Sequence, residues 1–294
     1  MADAVPMDHA LEPPLTASGA ATPRAGTAAG TRTAAWRLSL LIAGLMAIQS
    51  AVGVLVPAVY RDTGWVTAAW FGNDLVTLLV AAPLLVWALY AVRRGSLRAQ
   101  LIWYAMLGYA VYNYAYYLFG AALNAFFPVY AALLFLPAFA LILALGRADV
   151  GAIASRFAPS TPRRWVPAYM LFTGVGLTVA WTAQWAAYLL AGTVPNIGVD
   201  GFQLVAAMDL TFMVPWFVIG AVLLLRRGAW GYVVAPIIIV KGAAYTLVLA
   251  TTSTVAGLRG VEGSFEQIPI WGAWTLLGLL AAWALLGGVR RSER

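Results

Sequence analysis

Cysteine is absent from this 294-residue chain, and histidine and lysine occur once each, as His9 and Lys241. Without cysteine the chain forms no disulfide, holds no metal through thiolates and has no cysteine nucleophile. The single histidine lies in a polar N-terminal segment, which excludes a histidine-ligated zinc or haem site built by this chain alone. We therefore expect neither a metal site nor a cofactor.

Charge is also scarce. Charged residues make up 10% of the chain and hydrophobic residues 63%, with a mean hydropathy of +0.83. A soluble domain carries about 25% charged residues, so we expect the main partner of this surface to be the lipid bilayer. The formal net charge of +7 does not indicate a nucleic-acid partner, because the arginines cluster at the ends of apolar segments, where they orient membrane helices.

Long apolar runs are what the chain has in abundance. Residues 1–36, rich in Ala, Pro, Thr and Gly, predict a disordered tail, and no signal-peptide pattern precedes the first run. From Arg37 onward, each run is long enough to cross a hydrocarbon core of about 30 Å. The sequence therefore predicts an all-α integral membrane bundle of eight transmembrane helices. The predicted spans are 38–60, 65–92, 99–119, 122–145, 166–191, 203–225, 230–256 and 267–289.

The distribution of arginine orients these spans. The tail, the connections after even-numbered spans and the C-terminus hold 15 arginines, whereas the other connections hold only Arg61 and Arg259. By the positive-inside rule, we expect both termini to be cytoplasmic and the protein to lie in the plasma membrane. The turn between spans 3 and 4, at residues 119–122, carries no charge, so a re-entrant hairpin is an alternative there.

The two halves of the chain share a spacing. In each half an aspartate follows a glutamine by 25 residues and precedes an apolar run that ends in Arg-Arg-Gly, and a tyrosine lies 19 residues beyond the first arginine of that pair. The matching residues are Gln49, Asp74 and Tyr112 in the first half, and Gln184, Asp209 and Tyr245 in the second. This pattern predicts a parallel four-plus-four internal repeat, with halves at 37–150 and 160–291.

Three ionisable residues lie deep within predicted spans: Asp74, Asp209 and Lys241. Measured from the flanking arginines at about 1.5 Å per residue, Lys241 lies near the midplane and both aspartates lie in the outer third. A central Asp or Lys costs about 2.5–3.5 kcal/mol on insertion, so such charges persist only where they face the protein interior and are paired, hydrated or neutralised. Lysine suits this place better than arginine, because burial can discharge it.

Neutral polar residues accompany these charges in the outer half of the membrane. Helical spacing gathers two tyrosines and an asparagine of span 3 into one strip and places a tyrosine on the lysine-bearing face of span 7. We expect a polar, aromatic-lined pocket that opens to the extracytoplasmic side and holds a small polar ligand or relays protons. The residues predicted to line it are Asp74, Asp209, Lys241, Tyr112, Asn113, Tyr116, Tyr245, Gln49 and Gln184.

Each of these residues also has a structural interpretation. Lys241 and an aspartate would form an ion pair that joins helices, although side chains tilt toward the helix N-terminus, so water or a ligand has to bridge the two charges. The two glutamines would act as interhelical hydrogen-bonding groups. Tyr114 and Tyr117, on the other face of span 3, are predicted to belong to the interfacial aromatic belt.

The segment YNYAYYLFGAALNAF, residues 112–126, resembles one found in an uncharacterised group of bacterial polytopic membrane proteins. The resemblance extends over most of residues 37–290 and implies a membrane protein, but that group has no assigned activity and implies no catalytic residues. A lysine in the seventh span also invites comparison with retinal proteins. The third span, however, has no acidic residue, and an eighth span follows.

Three classes of function fit these features. The first is a carrier of a small polar ligand, coupled to protons. The second is a non-catalytic membrane component, such as a sensor, a lipid-binding protein or an assembly partner. An intramembrane enzyme is the least favoured, because no Ser-His pair and no metal-ligand set lies at membrane depth, which leaves only acid-base chemistry by Asp, Lys or Tyr. The oligomeric state does not follow from the sequence.

Overall fold

The computed structural model describes residues 25–62, 64–195 and 197–290, with side chains from Thr33 onwards. Within these ranges the chain forms eleven α-helices and no β-strand, which confirms the all-α prediction. The helices are α1 (Ala25–Leu55), α2 (Gly64–Val76), α3 (Ala82–Arg93), α4 (Leu97–Gly120), α5 (Phe127–Leu145), α6 (Val150–Ser155), α7 (Trp165–Ala191), α8 (Gly198–Phe212), α9 (Val214–Leu225), α10 (Gly231–Leu258) and α11 (Ile268–Gly287).

Seven stretches of the described chain are long and apolar enough to cross a membrane, which makes this a multi-pass membrane protein. Two of the seven consist of paired helices, α2 with α3 and α8 with α9. The stretches are Thr33–Leu55, Gly64–Arg93, Phe127–Leu145, Trp165–Ala191, Gly198–Leu225, Gly231–Leu258 and Phe265–Gly287. They correspond to seven of the eight predicted spans, with ends that differ by a few residues.

The remaining predicted span, 99–119, forms helix α4, but it is not among the seven apolar stretches. The six tyrosines and one asparagine between residues 104 and 117 lower its hydropathy. Fifteen of its 24 residues are buried inside the protein. A helix that is enclosed by other helices does not need a lipid-compatible surface, so its polar composition is compatible with its position.

The N-terminal boundary differs from the prediction. Helix α1 begins at Ala25, so residues 25–36 of the predicted tail are helical, and an alanine-rich composition favours that extension. The helix ends at Leu55 rather than near residue 60, because Pro57 starts a short 3-10 turn. His9 and the rest of the predicted tail, 1–24, lie outside the described residues.

Two groups of five helices each, α1–α5 and α7–α11, meet through α4 and α10. In the first group α1 contacts α2, α3 and α5, and α4 contacts α3 and α5. In the second group α9 contacts α7, α8 and α10, and α10 packs along α11. Helix α10 joins the groups by packing against both α2 and α4, and α8 also contacts α4. The interior of the protein is therefore centred on α4 and α10.

The contact between α2 and α10 is close because it is made at a glycine. A Cβ atom placed on Gly72 would lie 2.7 Å from the Cα of Thr252, which is shorter than any real contact of that kind. The hydroxyl of Thr252 donates to the carbonyl of Ala69 across the same contact, at 3.4 Å. This approach holds the Asp74-bearing helix against the Lys241-bearing helix.

Candidate functional site

Both intramembrane aspartates lie directly before an interruption of their helix. Helix α2 changes to a π-helical segment at Thr77–Ala81, three residues after Asp74, and α3 continues with Pro83 in its first turn. Helix α8 ends at Phe212, three residues after Asp209, and α9 begins at Val214 with Pro215 in its first turn. Proline lacks an N–H group, so each interruption leaves helix carbonyl groups without their usual donors.

Lys241 binds to the second interruption. Its ammonium donates to the carbonyl of Phe212 at 3.1 Å and to the sulfur of Met213 at 2.8 Å. A helix C-terminus carries about half a negative charge, so α8 stabilises the ammonium that binds at its end. The side chain is 4% exposed. The only lysine of the chain therefore occupies the position at which a broken helix binds a cation.

Tyr112 connects this ammonium to Asp209. The ammonium lies 4.2 Å from the centre of the Tyr112 ring, in a cation–π contact, and the hydroxyl of the same tyrosine donates to Asp209 Oδ1 at 2.7 Å. The second carboxylate oxygen accepts from Trp181 Nε1 at 3.0 Å. Lys241 and Asp209 form no direct ion pair; an aromatic ring separates them. The sequence had suggested water or a ligand at that place.

Asp74 accepts three hydrogen bonds. The donors are the hydroxyl of Tyr60, the hydroxyl of Tyr117 at 2.8 Å and the amide of Gln49 at 3.1 Å. Tyr114 donates in turn to the Gln49 carbonyl oxygen at 3.0 Å. Burial, and to a smaller degree the charge of Asp74, raises the pKa of Tyr60, which lies in the connection between α1 and α2, far above its ordinary value. Tyr60 is therefore a neutral hydrogen-bond donor.

Aromatic rings seal the Asp74 site. Tyr117 stacks on Trp70 with ring centres 4.7 Å apart and on Tyr130 at 5.0 Å. On the α1 side the chain approaches so closely that a Cβ on Gly53 would overlap the Asp74 carboxylate. Asp74 is 0% exposed, whereas Asp209 is 8% exposed. The two carboxylates thus occupy similar helical positions in environments of different accessibility.

The π-helical segment after α2 makes a polar contact with α4. Thr77 and the Tyr109 hydroxyl are 2.9 Å apart, and the Asn113 amide donates to Thr77 at 3.4 Å. The carbonyl oxygens of Asn113 and Asn73 are buried without a hydrogen-bond partner in the described part of the chain. A buried polar atom without a partner costs about 1–3 kcal/mol, so both oxygens are free to accept a donor.

The remaining tyrosines of the predicted pocket line the same region. Tyr245 meets Tyr112 edge to face, with ring centres 4.6 Å apart. Tyr116 packs against Trp70 at 5.1 Å. Tyr245 is 7% exposed and Tyr116 is 9% exposed, so both are slightly more open than Tyr112, which is 1% exposed.

Two interpretations of the sequence require correction. Gln184 does not join this region: its side chain is exposed, and it bonds only within its own helix, to the Ala180 carbonyl at 3.4 Å. Tyr114 and Tyr117 do not belong to an interfacial belt, since they are 0% and 1% exposed and bond to the Asp74 site. The belt interpretation failed because α4 is enclosed on nearly every side.

Three contributors had not been identified from the sequence: Tyr60, Trp181 and Met213. Tyr60 lies in a connection, where helical periodicity gives no orientation. Trp181 lies on α7 three residues before Gln184, and its side chain reaches Asp209. Met213 lies two residues before Pro215, and proline inside an apolar span was the available signal for an interruption at this point.

Asp209 and Lys241 are the groups in this region that are able to hold opposite charges, and the phenols and amides around them supply neutral hydrogen-bonding groups. The described residues contain no group of three or more His, Cys, Asp or Glu side chains suited to a metal ion. Searches of protein-family models, of curated proteins and of solved structures find no match to this chain.

Proposed function

We propose that this protein is a carrier that moves a small polar solute across the plasma membrane, coupled to protons, with Asp209, Lys241 and Tyr112 at its binding site. The observation that carries the proposal is the pair of interrupted spans. Each interruption follows a buried aspartate, and the two lie in corresponding positions of the two halves. In membrane carriers, interrupted helices in corresponding positions mark the binding site, because their free ends bind ions and charged substrate groups.

The proposal includes α4 as an eighth span. With 24 residues, α4 extends over about 36 Å, which exceeds the hydrocarbon thickness. The chain then enters α5 after the short connection 121–126, where the Ala122 N–H donates to Asp62 at 3.0 Å. Two complete helices joined in this way favour a crossing hairpin over a re-entrant one. With eight spans, both termini are cytoplasmic and 15 arginines lie on the cytoplasmic side.

The arrangement of the helices supports the internal repeat. If the halves are exchanged, the α2–α3 span corresponds to the α8–α9 span, and α4 corresponds to α10. The contact of α2 with α10 then corresponds to the contact of α8 with α4, and the contact between α4 and α10 corresponds to itself. This is the relation that a two-fold axis between α4 and α10 would give.

Opening toward the outside would involve the outer part of α7. All four buried residues of this helix lie in its first ten positions, and the residues from 182 to 185 are exposed. Its only side-chain hydrogen bond to the site is that of Trp181 with Asp209. A movement of α7 away from α8 would break that bond and the edge-to-face contact of Trp181 with Phe202, and it would expose Asp209, with Met213 as the flexible point of its span.

Cysteine accessibility tests the carrier without knowledge of its substrate. Ala206, one turn before Asp209 on α8, and Ala88, in the α1–α3 contact, are both buried, at 6% and 0% exposure. The chain is naturally free of cysteine. In proteoliposomes we expect a small water-soluble thiol reagent to modify Ala206→Cys from one side and to leave Ala88→Cys unmodified. If neither cysteine reacts across a range of pH and membrane potential, the bundle does not open and the carrier is excluded.

A second candidate function, a non-catalytic membrane component, is favoured by the closed Asp74 site. Three donors satisfy that carboxylate and aromatic rings surround it, which is how a structural polar group is held. Failure of Ala206→Cys to react would favour this function. Asp209→Asn separates the two further: in a carrier, solute-driven proton uptake into proteoliposomes is abolished at an unchanged level of insertion, whereas in a structural protein insertion itself is reduced.

A further inference from the structure

A cavity of about 300 Å³ lies at the arginine-rich end of the bundle, away from the intramembrane charges. It forms where the turn between α3 and α4 meets the end of α5 and the short helix α6. Its walls include Leu97 and Ala148 on the apolar side and Gln100, Arg147 and Arg156 on the polar side. This volume is at the lower end of the range for small-molecule sites.

The cations of this cavity are available to a ligand. Arg147 makes no hydrogen bond or ion pair with any described residue, although it lines the cavity. Arg156 donates one N–H to the Arg290 carbonyl at 3.0 Å, which leaves the other N–H groups of its guanidinium unused. The two arginines come from opposite ends of α6, so they approach the cavity from different directions.

Asp149 and Gln100, which also line the cavity, already have hydrogen-bond partners within the protein, and the lining keeps a net positive charge. Asp149 caps α6, since its carboxylate accepts the Ala152 N–H at 2.9 Å. Gln100 donates to the Tyr104 hydroxyl at 2.6 Å, which orients its amide beside that ring. With two arginines against one aspartate, the lining carries a net charge of 2 − 1 = +1.

We propose that this cavity binds a phosphate ester, with Arg147 and Arg156 on the phosphate oxygens and Leu97 and Ala148 on the adjoining carbon chain. Guanidinium groups match phosphate oxygens in geometry and charge. The cavity lies at the end of apolar spans, at the level where phospholipid headgroups are found. The same chemistry is offered by a membrane phospholipid and by a soluble phosphate monoester, and this binding does not depend on the carrier function.

Native mass spectrometry of the full chain in detergent tests the proposal. The probes are phosphatidylglycerol and phosphatidylcholine of equal chain length, and glycerol phosphate is the soluble competitor. We expect the wild-type protein to bind phosphatidylglycerol, and Arg147→Gln to weaken that binding about fivefold, as loss of one favourable charge near the surface predicts. Displacement by millimolar glycerol phosphate would identify a soluble ester as the ligand, and resistance to it would identify the lipid.

The matched control is Arg226→Gln, which removes an equal charge from the turn between α9 and α10, outside the cavity. A second variant, Ala148→Phe, fills the cavity without changing its charge and is expected to reduce binding as well. Equal affinity of Arg147→Gln and Arg226→Gln for phosphatidylglycerol would overturn the proposal. So would unchanged binding by Ala148→Phe, because the lipid would then be attracted by net charge alone.

Discussion

Lys241 and Asp209 interact through a tyrosine ring, and a double-mutant cycle measures that interaction. The perturbations are Lys241→Met, which keeps the length of the side chain, and Asp209→Asn, which keeps its shape. The ammonium lies 4.2 Å from the Tyr112 ring centre, and the carboxylate lies 2.7 Å beyond the hydroxyl. These contacts separate the charges by roughly 6.5 Å, which corresponds to about 2.5 kcal/mol at an effective dielectric constant of about 20.

The single substitution Lys241→Met is expected to cost more than this coupling. It leaves the Phe212 carbonyl without its donor, and loss of this part-buried hydrogen bond costs about 1–3 kcal/mol. Added to the coupling, this gives about 3.5–5.5 kcal/mol, which overlaps the range of about 3–5 kcal/mol found when one member of a buried charge pair is removed. In the Asp209→Asn background the charge coupling is already lost, and only the carbonyl contribution remains. Lys241→Met is therefore expected to destabilise the Asp209→Asn variant less than it destabilises the wild type.

The assay is equilibrium unfolding in mixed micelles for the wild type, both single variants and the double variant. A control cycle pairs Asp209→Asn with Arg259→Met, because Arg259 also lies over an aromatic ring, that of Phe71 at 4.9 Å, but far along the chain from the site. Distant substitutions are additive within about 0.5 kcal/mol. If the Lys241 cycle is additive to the same degree, Tyr112 does not couple the two charges and the site has been assigned incorrectly.

Two further predictions follow from the contacts of α4 and its connections. Tyr117→Phe removes one of the three donors to Asp74 and is expected to lower the free energy of unfolding by about 1–2 kcal/mol. Tyr188→Phe, at an exposed position, is the control and should change it by less than about 0.5 kcal/mol. Equal effects of the two substitutions would mean that Asp74 does not depend on its donors. For the eight-span topology, a membrane-impermeant maleimide should label Leu123→Cys in intact cells and Ser155→Cys only after permeabilisation, and the opposite pattern would show that α4 does not cross.

Helical periodicity was informative where it grouped polar residues with each other. In α10 it placed Tyr245 on the face of Lys241, and both side chains are buried. The same reasoning misassigned Tyr114 and Tyr117, because α4 is surrounded by neighbours and has no lipid-facing side on which a belt residue would lie. Composition alone does not reveal whether a polar helix is enclosed by protein.

The glutamine and the aspartate that the repeat pattern matched lie together in the first half and not in the second. Gln49 does donate to Asp74, but its counterpart in the second half, Gln184, is exposed, and Trp181 donates to Asp209 instead. Matched spacing in sequence indicates equivalent helices, but the rotation of each helix depends on its packing. The fully buried residues of α7 all lie in its first ten positions, and of residues 181–185 only Trp181 makes a hydrogen bond or a ring contact with α8, so Gln184 stays exposed.

This difference between the halves bears on which part of the protein is able to move. Helix α1 is buried at intervals from Ala35 to Gly53 and closes over Asp74, so moving α1 and Tyr60 away would break three hydrogen bonds and two stacked ring contacts of Tyr60 at once. Moving the outer part of α7 away from Asp209 breaks one hydrogen bond, that of Trp181, and the edge-to-face contact of the same ring with Phe202. Local opening occurs where few contacts must be broken. If the protein cycles between two states, the first half is therefore the fixed scaffold, and Asp209 and Lys241, rather than Asp74, are the charges that meet the solute.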